Sequence, residues 1–214
     1  SIIPPYETYI TYEVYIAPGL IAMIQLFNGM QSSLSMVYDR EMGSMKTMLV
    51  SPIPRWFLLT SKLLAGVFVS ILQVYAFLLV ASFWDIKPPL FGYLSLLPAL
   101  ILSGLMLGAL GMFLSSAIKQ LENFAGVMNF VIFPMFFASS ALYPLWKIEE
   151  TSEWLFVVCK FNPFTYAVEI IRFSMYSQIN LNYSIGIIIF TILFLIFSIM
   201  GYDPSRSFIQ KKGR

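Results

Sequence analysis

The sequence predicts an all-α integral membrane protein, and three observations support this fold class. Hydrophobic residues make up 58% of the 214 residues and charged residues only 11%, whereas soluble domains average about 45–50% and about 25%. Five stretches are long and apolar enough to cross a bilayer as helices. The 20 Phe, 12 Tyr and 4 Trp suit a surface that meets both lipid and water. Residues 1–214 are predicted to form one transmembrane domain.

The predicted spans are the stretches that lack charged residues. A hydrocarbon core about 30 Å thick requires about 20 mostly apolar residues in a helix. In order along the chain, the spans run over 14–38, 63–84, about 96–118, 123–146 and about 184–202. Pro18 suits the first turn of the first span, because a missing N–H costs nothing there. The segment 147–172 carries too many charged residues to be predicted as a span.

Lys and Arg are distributed unequally between the two sides that these spans define. With the N-terminal segment outside, the segments 39–62, 119–122 and 203–214 are inside and hold nine of the 13 Lys and Arg residues. The positive-inside rule then predicts a multi-pass protein of the cell inner (plasma) membrane, with a cytoplasmic C-terminus. Because the sequence begins outside and with Ser1 rather than Met, we expect an earlier first span, which makes six.

Missing residue types restrict the chemistry of this chain. The sequence contains no histidine, the commonest general base near neutral pH and the commonest metal ligand. Cys159 is the single cysteine, and it has no histidine to activate it. No Gly-rich phosphate loop is present in the sequence, and no Lys/Arg cluster is suited to nucleic acid. We expect no catalytic residue, metal site or cofactor on this chain, and any nucleotide must bind to another subunit.

The inside segment between the first two spans has a distinctive pattern. Residues 41–51 follow a helical period that places Met42, Met45, Met48 and Leu49 on one side. Pro52 and Pro54 end this amphipathic helix. One interpretation is a connector that rests on the membrane surface. The other is a docking surface, because methionine side chains adapt readily to a partner.

Two ordered motifs resemble the membrane subunit of ABC-2 type exporters. The first is the run 38–56, which contains Arg-Glu-Met-Gly-Ser at 40–44, followed by Ser-Lys-Leu-Leu-Ala-Gly at 61–66. The second combines Phe-Ala-Ser-Ser-Ala-Leu-Tyr-Pro-Leu at 137–145 with Asn-Pro-Phe-Thr-Tyr-Ala-Val-Glu-Ile-Ile-Arg at 162–172. Ser61 departs from the glycine that is frequent in the family. The resemblance extends over nearly the whole chain from Ile16 onward.

The resemblance implies a function and a set of partners. It implies that the inside segment is the coupling helix that docks on a separate ABC ATPase subunit, which binds ATP and Mg. It also implies a second permease copy or a close relative in the same membrane. The residues to which the coupling role transfers are Arg40, Glu41, Gly43, Met45 and Leu49.

Two sets of span residues are candidates for the translocation pathway. In the first span, Gln25, Asn28 and Ser32 share one helical face with Ser35, and unpaired polar groups there must avoid lipid. Interhelical hydrogen bonding and substrate contact are both open interpretations of this polar stripe. In the fourth span, the aromatic candidates are Phe130, Phe133 and Phe137. Phenylalanines at this spacing also occur in cores or against lipid.

Two further patterns predict packing and an outer surface. Gly104 and Gly108, together with Gly111, allow close approach of another helix within the subunit. The outside segment 147–182 is predicted to form short helices, one of them over about 163–176. Glu169 and Arg172 would be neighbours on it at i, i+3. Trp146 and Trp154 are predicted to mark the membrane interface.

Three functions compete on these features: an ATP-driven exporter subunit, an ion-coupled secondary transporter and a non-transporting membrane anchor. The predicted span cores contain no Asp, Glu, Lys, Arg or His, so they offer no obvious site for a coupling proton. An anchor would not need a polar stripe or an elaborate inside segment. We therefore favour the exporter, whose substrate could be a drug, a lipid or a lipid-linked glycan.

Overall fold

The computed structural model describes residues 5–6, 10–42, 55–118 and 121–201. The helices in these ranges are α1 (Tyr12–Glu41), α2 (Arg55–Ala81), α3 (Leu90–Ala117), α4 (Leu121–Phe137), α5 (Leu145–Thr151), α6 (Glu153–Phe161), α7 (Pro163–Met175) and α8 (Leu181–Gly201). A single 3₁₀ turn, Ser82–Trp84, extends α2. The described ranges contain no strand, which confirms the predicted all-α class.

Four helices are long and apolar enough to cross a membrane, which confirms four of the predicted spans. They are Tyr12–Asp39, Trp56–Trp84, Leu90–Ala117 and Leu181–Gly201. Helix α1 begins at Tyr12, so Pro18 lies in its second turn and not in the first as predicted. Whether a sixth span precedes the chain stays a prediction.

The predicted span 123–146 is wrong in its length. Helix α4 has only 17 residues and ends at Phe137. Its last carbonyls bind a side chain from a distant segment: Asn162 Nδ2 donates to Met135 O at 2.7 Å and to Ala138 O at 2.6 Å. Because this amide satisfies groups that another helical turn would use, the chain turns after 137.

Helices α3 and α1 lie side by side and run in the same direction. A Cβ atom on Gly29 would lie 3.0 Å from Gly108 Cα, and one on Gly111 would lie 2.7 Å from Gly29 O. The two backbones therefore touch, which confirms that these glycines serve packing within the subunit. Helix α2 runs antiparallel to α1, because Asn28 contacts Gln73 and Ser32 contacts Lys62.

These directions define two ends of the bundle. The Tyr12 end holds the beginnings of α1, α3 and α8 and the ends of α2 and α4; the Glu41 end holds their opposite termini. Helices α6 and α7 form a pair bent by 75°. The segment that contains them begins after α4, where Ser140 O accepts a hydrogen bond from the Tyr15 hydroxyl of α1. At its other end, Ser174 O accepts one from Ser95 Oγ of α3. Both contacts are at the Tyr12 end, so this segment starts and finishes at the same end of the bundle, in agreement with the prediction that it does not form a span.

Candidate functional site

Gln25, the first residue of the predicted polar stripe, is fully enclosed by protein. Its side chain is 1% exposed. Gln25 Nε2 donates to Leu100 O at 2.7 Å, and Ser103 Oγ donates to Gln25 Oε1 at 2.5 Å. Each polar atom of the amide thus has a partner on α3. Gln25 therefore stabilises the α1–α3 contact, and the structure supports interhelical bonding for this residue.

The next residues of the stripe lie at the boundary between α1 and α2. Asn28 Nδ2 donates to Gln73 Oε1 at 2.7 Å and to Ile24 O at 2.8 Å. Ser32 Oγ donates to Lys62 O at 3.5 Å. Asn28 and Ser32 are half-buried, whereas Gln73 is exposed. The stripe is therefore divided: Gln25 is buried, Asn28 and Ser32 are half-buried, and Ser35 is exposed.

Beside this boundary, α1 presents an exposed row that joins Ser35 of the predicted stripe to Phe27 and Gln31, which the sequence prediction missed. Phe27, Gln31 and Ser35 follow one another at i, i+4 and i+8 and are all exposed. The spacing was visible in the sequence as a second row next to the predicted stripe. Gln31 is an amide in the middle of a 30-residue helix, a position where contact with hydrocarbon is costly.

The predicted aromatic residues of α4 are on the surface and not in the core. Phe130, Phe133 and Phe137 are 81%, 47% and 64% exposed. Asn129 is exposed beside them, and a Cβ atom on Gly126 would meet nothing within 4 Å. Helix α4 contacts α1. Exposed amides lie on α1 and on two of the helices that contact it; we call Gln73 (α2), Gln31 (α1) and Asn129 (α4) the amide face.

At the Glu41 end, an ion pair closes the base of the segment that joins α1 to α2. Lys62 Nζ of α2 pairs with Asp39 Oδ2 of α1. Helix α1 continues through Arg40 and Glu41. The other coupling residues, Gly43, Met45 and Leu49, lie outside the described residues, as does the predicted amphipathic helix. The structure thus places the two ends of this segment side by side.

At the Tyr12 end, Arg172 of α7 is 2% exposed. Its Nη1 pairs with Glu169 Oε1, and its Nη2 donates to Ser140 O at 2.9 Å. The guanidinium carbon lies 4.2 Å from the centre of the Tyr15 ring, and the Tyr15 hydroxyl donates to the same Ser140 O at 2.9 Å. The predicted Glu169–Arg172 pair is confirmed, whereas its burial was not predicted.

The segment before α1 also contacts this cluster. Burial raises the pKa of the Tyr6 hydroxyl above its ordinary value, and the nearby Arg172 charge offsets only part of that shift. The hydroxyl therefore remains protonated at neutral pH. The Tyr6 ring packs edge-on against Tyr176, with 4.9 Å between the ring centres.

The outer helices begin as the sequence predicted. Asn162 Oδ1 accepts a hydrogen bond from Phe164 N at 2.9 Å, which caps α7, and Pro163 occupies the first helical position. The predicted helix over 163–176 is confirmed. Trp146 and Trp154 are exposed, and their placement at a membrane interface stays a prediction.

Comparison with known proteins identifies the family. Residues 6–176 match the family described as ABC-2 type transporter. The chain belongs to the ABC-2 type transporter family. The match covers α1 through α7, including the amide face and the Arg172 cluster. It confirms the resemblance seen in the two motifs, and it makes the chain a multi-pass membrane protein of a permease family.

Curated relatives of this ABC-2 type chain carry permease names. A transport permease named ycf38 from Porphyra purpurea is 28% identical over 181 residues, covering 83% of this chain and 60% of that protein. The ycf38 permease of Pyropia yezoensis is 30% identical, covering 81% and 59%. A protein of Escherichia coli (strain K12) named "Probable multidrug ABC transporter permease YbhR" is 29% identical, covering 78% and 45%. The chain spans about three-fifths or less of the length of these relatives.

The amide face carries neutral polar groups, and aromatic side chains lie beside it. Among the described residues, no group of three or more His, Cys, Asp or Glu is placed to hold a metal ion. The amide face offers hydrogen-bond donors and acceptors beside phenylalanine rings. Such a surface can bind polar and apolar parts of one molecule without a charge.

Proposed function

We propose that this chain is the permease subunit of an ATP-driven ABC-2 type exporter, which forms part of the translocation route and couples to a separate nucleotide-binding subunit. The observation that carries the proposal is the match of residues 6–176 to the ABC-2 type transporter family. The name of the Escherichia coli relative, a multidrug ABC transporter permease, supports it.

The amide face supports a route enclosed by two chains. Gln31, Gln73 and Asn129 are exposed in the middle of apolar helices, and an amide that faces hydrocarbon loses the hydrogen bonds that water or protein would give. A second permease copy or a close relative that faces this surface would replace lipid with protein and a water-filled route. The phenylalanines of α4 would line the same route.

The driving force is assigned to the partner subunit. The chain has no phosphate-binding loop in its sequence, so ATP and Mg would bind to the ABC ATPase. The segment 39–62 would dock there through Arg40, Glu41, Gly43, Met45 and Leu49. The Asp39–Lys62 ion pair joins α1 to α2 at the base of this segment. These two helices carry Gln31 and Gln73 of the amide face.

The secondary-transporter alternative has less support. Between 14 and 38, 63 and 84, and 96 and 118, the spans contain no charged residue, whereas proton- or ion-coupled carriers place such residues in the membrane. A route without charge favours a substrate with an uncharged amphipathic part. Drugs, lipids and lipid-linked glycans all contain such parts.

The test is a pair of substitutions on opposite sides of the predicted coupling helix. Leu49→Asp would bury an unpaired carboxylate against the ATPase subunit, at a cost of several kcal/mol. Thr47→Asp is the matched control, because the helical period predicts Thr47 on the side opposite to Met45 and Leu49, where the same charge would stay in water. The measurement is co-purification of the ATPase subunit and ATP turnover in membranes, with the full-length chain expressed beside its partner.

We expect Leu49→Asp to lose the complex and its turnover, while Thr47→Asp and membrane insertion of both variants remain as in the wild type. An intact complex with unchanged turnover in Leu49→Asp would show that this segment is not the coupling element. Transport that continues without ATP would favour a secondary transporter.

A further inference from the structure

Three of the bundle helices are interrupted by proline towards the Tyr12 end. Pro18 lies inside α1, Pro98 inside α3 and Pro134 inside α4. A proline has no N–H to donate to the carbonyl four residues earlier, and its ring clashes with that carbonyl. Each helix therefore lacks one main-chain hydrogen bond at this position, which is where helices bend most easily.

Two of these prolines lie at the same level of the bundle. Helices α1 and α3 are parallel, and Gly29 lies against Gly108. Pro18 precedes Gly29 by eleven residues and Pro98 precedes Gly108 by ten. At a rise of about 1.5 Å per residue, both prolines are about 15 Å from this contact. A bend at one can therefore be accompanied by a bend at the other.

The helix sections between these prolines and the Tyr12 end are joined to α7 by directional contacts. In α3, Ser95 Oγ donates to Ser174 O at 2.6 Å, and a Cβ atom on Gly92 would come within 2.0 Å of Met175 O. After α4, Asn162 holds the last carbonyls. We call the sections 12–17, 90–97, 135–144 and 163–176 the cap.

Arg172 is the central contact of the cap. Its side chain reaches Glu169 on its own helix, Ser140 O after α4, and the Tyr15 ring of α1. Because the charge is 2% exposed, a movement that separates these segments would leave it buried without partners, at a large cost. The cluster therefore favours movement of the cap as one body.

On the other side of the prolines, α1 and α3 are joined to each other. Gln25 donates to Leu100 O, and Gly29, Gly108 and Gly111 bring the two backbones into contact. Helix α8 contacts α7 mainly through rings: Tyr166 lies 5.7 Å from Tyr183 and 5.3 Å from Phe190 between ring centres. Ring pairs of this kind are weaker than the charge-assisted hydrogen bonds of the Arg172 cluster. Helix α2 also contacts the cap, through a hydrogen bond that Tyr75 Oη donates to Tyr93 O at 2.6 Å.

We propose that the cap is a conformational device that tilts as a rigid unit on hinges at Pro18, Pro98 and Pro134 when the complex changes state. The inference rests on the proposed function, since the tilt needs the ATPase cycle to drive it. It assigns Arg172 the role of a positioning residue that keeps the cap in one piece.

The test restores helix hydrogen bonds at two of the hinges. Pro98 and Pro134 are exposed, so the double variant Pro98→Ala/Pro134→Ala leaves no cavity. Pro89→Ala is the matched control, because Pro89 is an exposed residue at the N-terminal boundary of α3, where its N–H would not join the ladder.

Spin-label distances report the movement. In the full-length complex with Cys159→Ala, one pair joins the cap to the bundle (Tyr143→Cys with Leu64→Cys). A second pair lies within the cap (Tyr12→Cys with Tyr143→Cys), and all three labelled positions, Tyr12, Leu64 and Tyr143, are exposed. Excess unlabelled chain restricts the signal to distances within one chain. Each pair is measured without nucleotide and after trapping with ATP and vanadate.

We expect the Tyr143–Leu64 distance to shift on trapping in the parent and in Pro89→Ala, and the shift to be lost in the double proline variant. The Tyr12–Tyr143 distance should stay constant throughout. A change within the cap would overturn its rigidity, and a shift that persists in the double variant would overturn the hinges. If the complex turns over ATP and the Tyr143–Leu64 distance stays constant, the hinge is wrong while the proposed function stands. Failure of the ATPase to assemble with the chain overturns both.

Discussion

Arg172 and Glu169 form a charge pair that a membrane protein places in its interior, where neither group can use water as a partner. The pair is 2% and 8% exposed, and its remaining contacts are a backbone carbonyl and an aromatic ring. Such a pair adds little stability compared with apolar residues of the same size, but breaking it by removing one partner is costly. Its benefit is specificity, since a single arrangement of α1, α4 and α7 satisfies it.

Arg172→Gln should therefore destabilise the protein by about 3–5 kcal/mol, because Glu169 would remain buried without its cation. The measurement is thermal unfolding of the purified protein in lipid nanodiscs. Lys87→Gln is the control, since Lys87 and its partner Asp85 are 59% and 93% exposed and such pairs contribute little. Glu169→Gln/Arg172→Gln should recover part of the loss, and equal destabilisation by the single and double variants would contradict the argument.

At the scale of the elements, the α1–α3 contact sets how closely the bundle packs. An apolar helix surface gains no hydrophobic free energy when it leaves lipid for protein, because lipid tails are equally apolar. The association of helices in a membrane therefore depends on close packing and hydrogen bonds. Both are present here: Gly29, Gly108 and Gly111 remove the Cβ atoms, and Gln25 bonds to α3 beside them. Helix α4 lacks such a contact at Gly126, whose surroundings are open.

Gly111→Ala and Gly126→Ala should therefore have opposite effects. A Cβ atom at Gly111 would lie 2.7 Å from Gly29 O, so the two backbones must separate, and overpacking of this kind costs about 1–3 kcal/mol. At Gly126 the same methyl group meets nothing, and alanine favours the helix by about 1 kcal/mol. The measurement is the unfolding temperature of each variant in the same lipid, which should fall for Gly111→Ala and rise for Gly126→Ala. Equal shifts in both variants would show that the contact does not limit packing.

For the whole molecule, the features that could be predicted are those that depend on residues close together in the sequence. Four spans followed from the absence of charge, and the start of α7 followed from Asn162 and Pro163. The end of α4 could not be predicted, because the side chain of Asn162, 27 residues beyond Met135, caps it. The helical period showed which residues of α1 share a face, but it does not show which helix covers that face. The prediction therefore left open that Gln25 packs against α3, and it missed the exposed Gln31.

The side of the membrane on which each connecting segment lies is predicted from the distribution of Lys and Arg, and it can be tested by cysteine labelling. The structure adds that the described helix termini at Glu41, Arg55, Ala117, Leu121 and Gly201 all lie at one end of the bundle, which is the arrangement that the predicted topology requires. In a Cys159→Ala background, Thr151→Cys, on exposed α5, should react with an impermeant maleimide added to intact cells. Ser44→Cys should react only after the membrane is opened, and Cys159→Ala alone should not react. Reaction of both introduced cysteines from one side would reject the topology and, with it, the assignment of 39–62 to the side where an ATPase could dock.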